Sequence, residues 1–307
     1  MPPRKRARGA SSSEASGPTV RVGSATHTMR PAREAKLWRE GLLLDCEVHV
    51  EGRTFKAHRL VLVSSSEYMR GCFCSGLSET ASASVTLEDM PSAVFEAILT
   101  WMYDAVVEVE EALLPELLSA AVRLQVEELP DDVDQLVIER LTAANAVGAW
   151  ILADSLMRPA VVEAAKKIVL GSFGEAAASD DFTRLPVAAL ESLLSSDELV
   201  VQDEAECFRA LTRWLAAQQP AASAEIQARL LGCVRFDLMS HAFVQQHVNT
   251  DPLVAASLPN MTVVAKAFQR VAFAEKSRPR IGSAIELRFE SAFDTNGVLY
   301  HIGTEGG

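Results

Sequence analysis

The chain has 307 residues, of which 49% are apolar, so it is long and apolar enough for two folded domains of ordinary size. Residues 1–40 carry nine Lys/Arg against three Asp/Glu, a balance of +6, which leaves −18 on the rest of a chain whose total charge is −12. This distribution excludes a nucleic-acid-binding globular body, because phosphate binding needs concentrated positive charge. The lack of an apolar run of about 18 residues excludes a membrane-spanning helix.

Residues 1–30 are predicted to form a disordered basic tail, since this stretch is rich in Ser, Gly and Pro and poor in apolar residues. Its Arg4–Arg8 cluster is typical of a nuclear-import signal, although a solvated tail without a function explains it equally well. The odd number of cysteines and their apolar surroundings indicate reduced thiols rather than a disulfide framework. Together these features predict a cytoplasmic and/or nuclear protein.

The pattern becomes helical from Pro31, with Leu37 and Trp38 as its apolar anchors. Cys46–Val50 and Thr54–Ala57 then alternate apolar and polar residues, which predicts a β-hairpin. The elements predicted next are short helices at 58–63 and 66–73, a strand at 84–87, a helix opened by Pro91 and an edge strand at 106–109. Beyond Ala112 only helical periodicity is present until the 280s. The sequence therefore predicts an α+β unit followed by an all-α unit.

The first unit resembles the BTB (POZ) domain over about residues 37–125. The resemblance is carried by Asp45, Phe55–Leu62, Ser66–Met69, Phe73, Val85–Asp89 and Phe95–Tyr103, which follow one another in that family's order. It implies that His58 begins a helix close to Asp45, and a residue at the start of one strand can indeed meet a residue at the end of its partner. We therefore expect Asp45 and His58 to form a structural polar pair, with no catalytic or metal-binding role for the histidine.

The helical remainder is similar to the BACK domain that follows BTB in Kelch-like proteins. The similar segments are Asn145–Asp154, Phe182–Leu199, Glu204–Leu215 and Arg229–Ser240. The resulting organisation is a tail at 1–30, a BTB domain at 31–125, a helical connector at 126–142 and a BACK domain at 143–276. Residues 277–307 combine strand-like sequence with an Asn-Gly turn, which predicts the start of a β domain that is cut short.

The sequence offers no convincing catalytic or metal-binding constellation. Cys72 and Cys74 are separated by one residue and lack a second pair, and His241 and His247 are six apart, which does not suit two ligands on one helical face. No phosphate-binding loop or nucleophile elbow is present. We therefore predict no catalytic residue, no bound metal and no cofactor.

Leu77-Ser78-Glu79 matches the hydrophobic-x-Glu motif by which Kelch-like BTB domains engage a cullin scaffold. The resemblance implies that Leu77 and Glu79 bind the cullin, joined by Tyr103, whereas the alternative is that Leu77 packs onto its own domain. It also implies a homodimer in which the helix of Leu37 and Trp38 lies across the partner subunit.

The implied function is a non-catalytic substrate adaptor of a cullin-RING ubiquitin ligase, which dimerises and binds the cullin through BTB and BACK. Its expected partners are a cullin, a second copy of the chain and an unknown protein substrate, with neither nucleic acid nor membrane. The alternative is a nuclear BTB dimerisation scaffold in transcriptional regulation that never meets a cullin. A catalytic ligase is disfavoured, because the sequence lacks RING-type Cys/His spacing.

Overall fold

The chain divides into two units at Glu139 and Arg140, and the first unit carries the β-sheets. The computed structural model describes residues 17–23, 32–75, 83–255 and 257–272. The described strands of the first unit are β1 (Thr19–Val22), β2 (Cys46–Val50), β3 (Arg53–Ala57), β4 (Ser84–Leu87) and β5 (Val107–Glu110). Its described helices are α1 (Ala32–Arg39), α2 (Arg59–Ser65), α3 (Glu67–Cys74), α4 (Ser92–Asp104), α5 (Leu114–Arg123) and α6 (Leu129–Glu139).

The predicted hairpin is confirmed: β2 pairs with β3 in antiparallel register, with Val48 opposite Phe55. The predicted strand at 84–87 is also present as β4, which pairs with β2 in parallel, Val48 facing Val85. Parallel strands need a crossover, and α2 and α3 lie within it. The alternating apolar residues of all three strands are buried, so one face of the sheet contributes to the core.

β1 corrects the prediction that residues 1–30 are entirely disordered. Thr19–Val22 forms an antiparallel pair with β5, in which Val20 lies opposite Val109 and Val22 opposite Val107. All four valines are buried, so the pairing gains apolar contacts as well as backbone hydrogen bonds. The rest of the predicted tail, 1–16 and 24–30, lies outside the described residues.

The helices of the first unit begin and end where local chemistry dictates. Ser66 separates α2 from α3, because its Oγ accepts a hydrogen bond from the Met69 backbone N–H at 3.1 Å and so caps α3. α4 ends at Asp104, where Ala105 takes a left-handed conformation with φ 59°. α4 is central to the core, since Phe95, Ile98 and Trp101 are all fully buried.

The second unit is helical. Its described α-helices are α7 (Ala146–Ser155), α8 (Pro159–Gly171), α9 (Phe173–Ala178), α10 (Val187–Ser195), α11 (Glu204–Ala217), α12 (Ala224–Leu231), α13 (His241–Phe243), α14 (Pro252–Ala255) and α15 (Leu258–Ala272). Short 3-10 helices occur at Glu111–Leu113 in the first unit and at Asp181–Arg184 and Phe236–Leu238 in the second, and a π-helix at Val244–Val248. In the part of the chain described here, no helix is both long and apolar enough to span a membrane.

α11 shows how sequence fixes these helices. Asp203 caps it by accepting from the Glu206 backbone N–H at 3.0 Å, and buried Trp214 in its last turn donates from Nε1 to the Leu185 carbonyl at 2.9 Å. Around Trp214 lies one apolar core that includes Phe173, Phe208 and Phe236. The predicted order of an α+β unit followed by an all-α unit is thus confirmed, while the strands predicted at 285–304 lie outside the described residues.

Candidate protein-interaction surface

The predicted cullin-binding residues Leu77 and Glu79 lie outside the described residues, within the segment 76–82. That segment follows α3, which ends at Cys74, and precedes β4, which begins at Ser84. The roles assigned to Leu77 and Glu79 therefore stay predictions.

Tyr103, the third residue predicted at that interface, is buried inside the first unit with only 3% of its surface exposed. Its ring stacks on that of Trp38 with centroids 4.5 Å apart and planes 2° apart. The last turn of α4 is thus covered by α1. Within the protomer the side chain is thus enclosed by its own unit, and the cullin contact predicted for Tyr103 stays a prediction.

His58 connects three parts of the first unit. Its Nε2 lies 2.9 Å from the Leu42 carbonyl oxygen, which can only accept, so Nε2 carries the proton. In the neutral imidazole Nδ1 is then an acceptor, and the Tyr103 hydroxyl donates to it at 2.8 Å. The same hydroxyl accepts from the His58 backbone N–H at 2.9 Å. His58 therefore fixes the turn after α1 and the end of α4 to the start of α2.

The direct Asp45–His58 pair expected from the sequence is not what the structure shows. Asp45 Oδ1 accepts instead from the Arg59 backbone N–H at 2.6 Å, at the start of α2. The unsatisfied N–H groups at a helix N-terminus attract a carboxylate. The N–H group bound here belongs to Arg59, the residue that follows His58. Among the described residues, Asp45 bonds to the residue after His58, whereas His58 bonds to Tyr103 and to the Leu42 carbonyl, three residues before Asp45.

Burial raises the pKa of Tyr103 to about 12, because the phenolate would lose its hydration. A raised folded-state pKa means that the native state holds the phenolic proton more tightly than the unfolded chain does. This contribution to stability is complete below pH about 10, the ordinary tyrosine pKa, and is lost as pH rises towards 12.

We predict that Tyr103→Phe lowers the free energy of unfolding by about 1 kcal/mol at pH 8, since the two hydrogen bonds to His58 are lost while the ring still packs on Trp38. Above pH 10 the difference between wild type and variant should shrink, because only the wild type loses the phenol contribution. Urea unfolding at pH 8, 10 and 11 measures this difference. A difference that stays constant over that range would show that the Tyr103 proton is not held by the fold.

Three exposed leucines lie where the turn after α1 approaches α2: Leu42, Leu43 and Leu60, with 49%, 78% and 71% of their surfaces exposed. We call them the leucine surface. The hydrogen bond from His58 to the Leu42 carbonyl links the turn to the start of α2. Leu43 also has φ 60°, a left-handed conformation that a leucine adopts at a cost of about 1–3 kcal/mol. A contiguous exposed apolar patch marks a site for another protein, which makes these three leucines candidates for an interface.

α1 itself is held by its own unit. Trp38 Nε1 donates to the Lys56 carbonyl of β3 at 3.1 Å, and Arg39 forms an ion pair with Asp104 at the end of α4. Leu37 is half-buried. The predicted contact of Leu37 and Trp38 with a partner subunit stays a prediction. The leucine surface adds three candidate interface residues that the sequence did not single out.

In the part of the chain that the structure describes, the candidate reactive groups do not assemble into a metal site. Among the residues that the structure describes, no three His, Cys, Asp or Glu side chains are grouped so as to hold a metal ion. Cys46 is buried, which raises the pKa of its thiol to about 12 and keeps it in the unreactive neutral form.

Two family models match the chain. The model described as BTB/POZ domain covers residues 35–141, and the model described as BTB And C-terminal Kelch, or BACK, covers residues 146–249. Together they span most of both structural units. The order of the two matches is the order expected from the sequence.

The curated relatives match across both domains. Human Kelch-like protein 17 is 31% identical over 220 residues, which are 72% of this chain and 34% of that protein. Kelch repeat and BTB domain-containing protein 8 of Xenopus tropicalis is 30% identical over 224 residues, 73% of this chain and 36% of that protein. The chain thus spans about a third of the length of these relatives. Among solved structures, the BTB domain of zebrafish PATZ1 aligns with 22% identity and a TM-score of 0.33, covering 38% of this chain and 95% of that one.

Proposed function

The chain is a BTB–BACK protein, and from this premise we propose that it is a non-catalytic substrate adaptor of a cullin-RING ubiquitin ligase. The observation that carries the proposal is the combination of both domains with Leu77-Ser78-Glu79 between α3 and β4. Kelch-like adaptors, which the sequence resembles, carry a hydrophobic-x-Glu motif at that place. The two relatives described above, which are 31% and 30% identical to this chain, also have Kelch in their names.

In this role the BTB domain binds the cullin through Leu77 and Glu79. An apolar side chain next to a carboxylate fits a partner helix that buries the first and hydrogen-bonds the second. Tyr103 acts indirectly, because it fixes α1 and the start of α2 from inside the domain. The unknown protein substrate would be recognised by a module beginning after residue 276.

We further propose that the chain forms a homodimer through the leucine surface together with Leu37. In a two-fold symmetric dimer the same patch meets its own copy, so exposed leucines cover exposed leucines without needing a complementary partner. The strained conformation of Leu43 supports this proposal, since burial of its side chain would offset the backbone cost.

The second candidate function is a nuclear BTB dimerisation scaffold in transcriptional regulation. The observation that favours it is the Arg4–Arg8 cluster, which has the composition of a nuclear-import signal. Such a scaffold would use the same dimer but would not bind a cullin. Binding to a cullin therefore separates the two functions.

The test uses the full chain and the N-terminal domains of several cullins, with binding followed by calorimetry and by co-elution in size-exclusion chromatography. We expect one cullin to bind with a stoichiometry of one per protomer. If the folded, dimeric chain binds no cullin at all, the adaptor function is wrong and the nuclear scaffold becomes the better proposal.

A further inference from the structure

Three side chains of the second unit form a stack at the surface, next to its apolar core. Phe243 is half-buried, and its ring meets the buried ring of Phe208 edge to face, with centroids 6.3 Å apart. The guanidinium carbon of Arg209 lies 5.0 Å from the centroid of the Phe243 ring, and the His247 ring centroid lies 4.8 Å from it. We call Arg209, Phe243 and His247 the Arg209 stack. Because Phe243 is anchored on the core, it gives the two polar side chains a fixed support.

A π-helix at Val244–Val248 places His247 against the Phe243 ring. The Asn249 backbone N–H donates to the Val244 carbonyl, five residues back, at 3.0 Å, which is the bond of a widened helical turn. Such turns are rare, and they occur frequently at functional sites. The widened turn therefore supports a role for His247 beyond packing.

The polar groups of the Arg209 stack are available to a ligand. Arg209 and His247 are both exposed. In the part of the chain that the structure describes, neither the Arg209 guanidinium nor the His247 imidazole forms a hydrogen bond or an ion pair. Glu206, the acid nearest to Arg209 on α11, instead accepts from the Gln202 backbone N–H at 3.4 Å.

Other arginines of the second unit are engaged within their own chain. Four of them each form an ion pair with an aspartate or a glutamate: Arg184, Arg213, Arg229 and Arg235. Arg209 differs from these four, because an aromatic ring holds it while its charge stays without a carboxylate among the described residues.

We propose that the Arg209 stack binds an anionic side chain, a phosphate or a carboxylate, in a peptide segment of a partner protein. The planar guanidinium matches two oxygens of such a group, and its contact with the Phe243 ring restricts where it can move. His247 offers a further N–H donor in the same stack. This site requires neither the cullin nor the dimer proposed above.

The charge of the chain favours a peptide over a nucleic acid as the source of the anion. Residues 41–307 carry −18, so a polyanion would be repelled along its whole length. A single anionic side chain that meets the Arg209 stack experiences much less of this repulsion, because charges beyond about 8–10 Å are screened by salt.

The experiment measures the retention of peptide pools on the immobilised full chain. The pools have randomised flanks and differ only in a central phosphoserine, glutamate or serine. We expect the wild type to retain at least one anionic pool about tenfold more than the serine pool, and Arg209→Met to lose this preference, because the charge-assisted hydrogen bonds are removed. Arg184→Met is the matched control, since it removes the same charge from an exposed arginine that already pairs with Asp181.

The outcome also identifies the anion. Retention of the phosphoserine pool alone indicates a phosphorylated partner, whereas retention of the glutamate pool indicates an acidic one. A wild type that retains the three pools equally, or an Arg209→Met variant that keeps the preference, would overturn the proposal. If Arg209→Met does not fold, His247→Gln at an exposed position provides the same test, and an unchanged preference in that variant would count against the site.

A random DNA oligonucleotide serves as the competing probe. We expect the full chain not to retain it. An oligonucleotide retained as strongly as the phosphoserine pool, and lost in the Arg209→Met variant, would show that the site takes phosphate from nucleic acid and that the assignment to a peptide is wrong.

Discussion

Replacing Leu77 and Glu79 together by alanine is expected to weaken cullin binding about 30-fold or more while leaving the melting temperature and the dimer nearly unchanged. Truncating an interface hot spot costs about 2 kcal/mol or more, which corresponds to that factor. Surface substitutions away from special features change stability by less than about 0.5 kcal/mol. The two effects are far enough apart to be separated by calorimetry and thermal unfolding of the same samples.

The two single variants, Leu77→Ala and Glu79→Ala, should weaken cullin binding by different amounts. Leu77→Ala removes apolar area that the cullin would bury, whereas Glu79→Ala removes a polar contact at the edge, where water can replace it. We therefore expect Leu77→Ala to account for most of the double-variant effect. Leu258→Ala is a suitable control, because it removes an exposed leucine from the second unit and should leave cullin binding as it is.

Each other outcome has a definite meaning. If the double variant unfolds, Leu77 belongs to the core of its own domain, the alternative raised by the sequence. If the variant folds and binds the cullin as tightly as the wild type, the contact lies elsewhere on the BTB domain. Either result would remove Leu77 and Glu79 from the proposed interface.

The local elements of the BTB domain could be predicted because their signals are local. Cys46–Val50 alternates with a period of two, and the Ser66 cap accepts from the backbone N–H of Met69, three residues ahead. β1 was missed for the opposite reason. Its four residues alternate weakly inside a stretch whose composition indicates disorder, and its partner β5 lies near residue 108, so only the folded chain reveals the pair.

The site could be predicted only in part, because several of its contacts depend on tertiary packing. His58 makes hydrogen bonds within its own unit, but its partners are Tyr103 and the Leu42 carbonyl rather than the expected Asp45. Nothing in a single sequence shows that α1 covers the last turn of α4 and so encloses Tyr103. The run of leucines after Gly41 is equally ambiguous, since a core segment and an exposed interface have the same composition.

Exchanging Leu43 and Leu60 for aspartate is expected to convert the dimer into a monomer, raising the dimer dissociation constant more than about 1000-fold. Two-fold symmetry doubles each substitution, so four leucines are removed from the interface, each contributing about 1.5–3 kcal/mol when fully buried. The four carboxylates that replace them would also face one another, which adds like-charge repulsion. The fold should survive, because Leu43 and Leu60 are 78% and 71% exposed within the protomer.

Sedimentation over a range of protein concentrations measures the change, and two variants test its specificity. Met157→Asp places the same charge on an equally exposed residue of the second unit, so it should leave the dimer intact. Trp38→Ala should act differently, lowering stability as well, because Trp38 stacks on Tyr103 and donates to the Lys56 carbonyl within its own unit. A dimer that persists in the Leu43→Asp, Leu60→Asp variant would exclude the leucine surface and leave α1, with Leu37, as the place where the two copies meet.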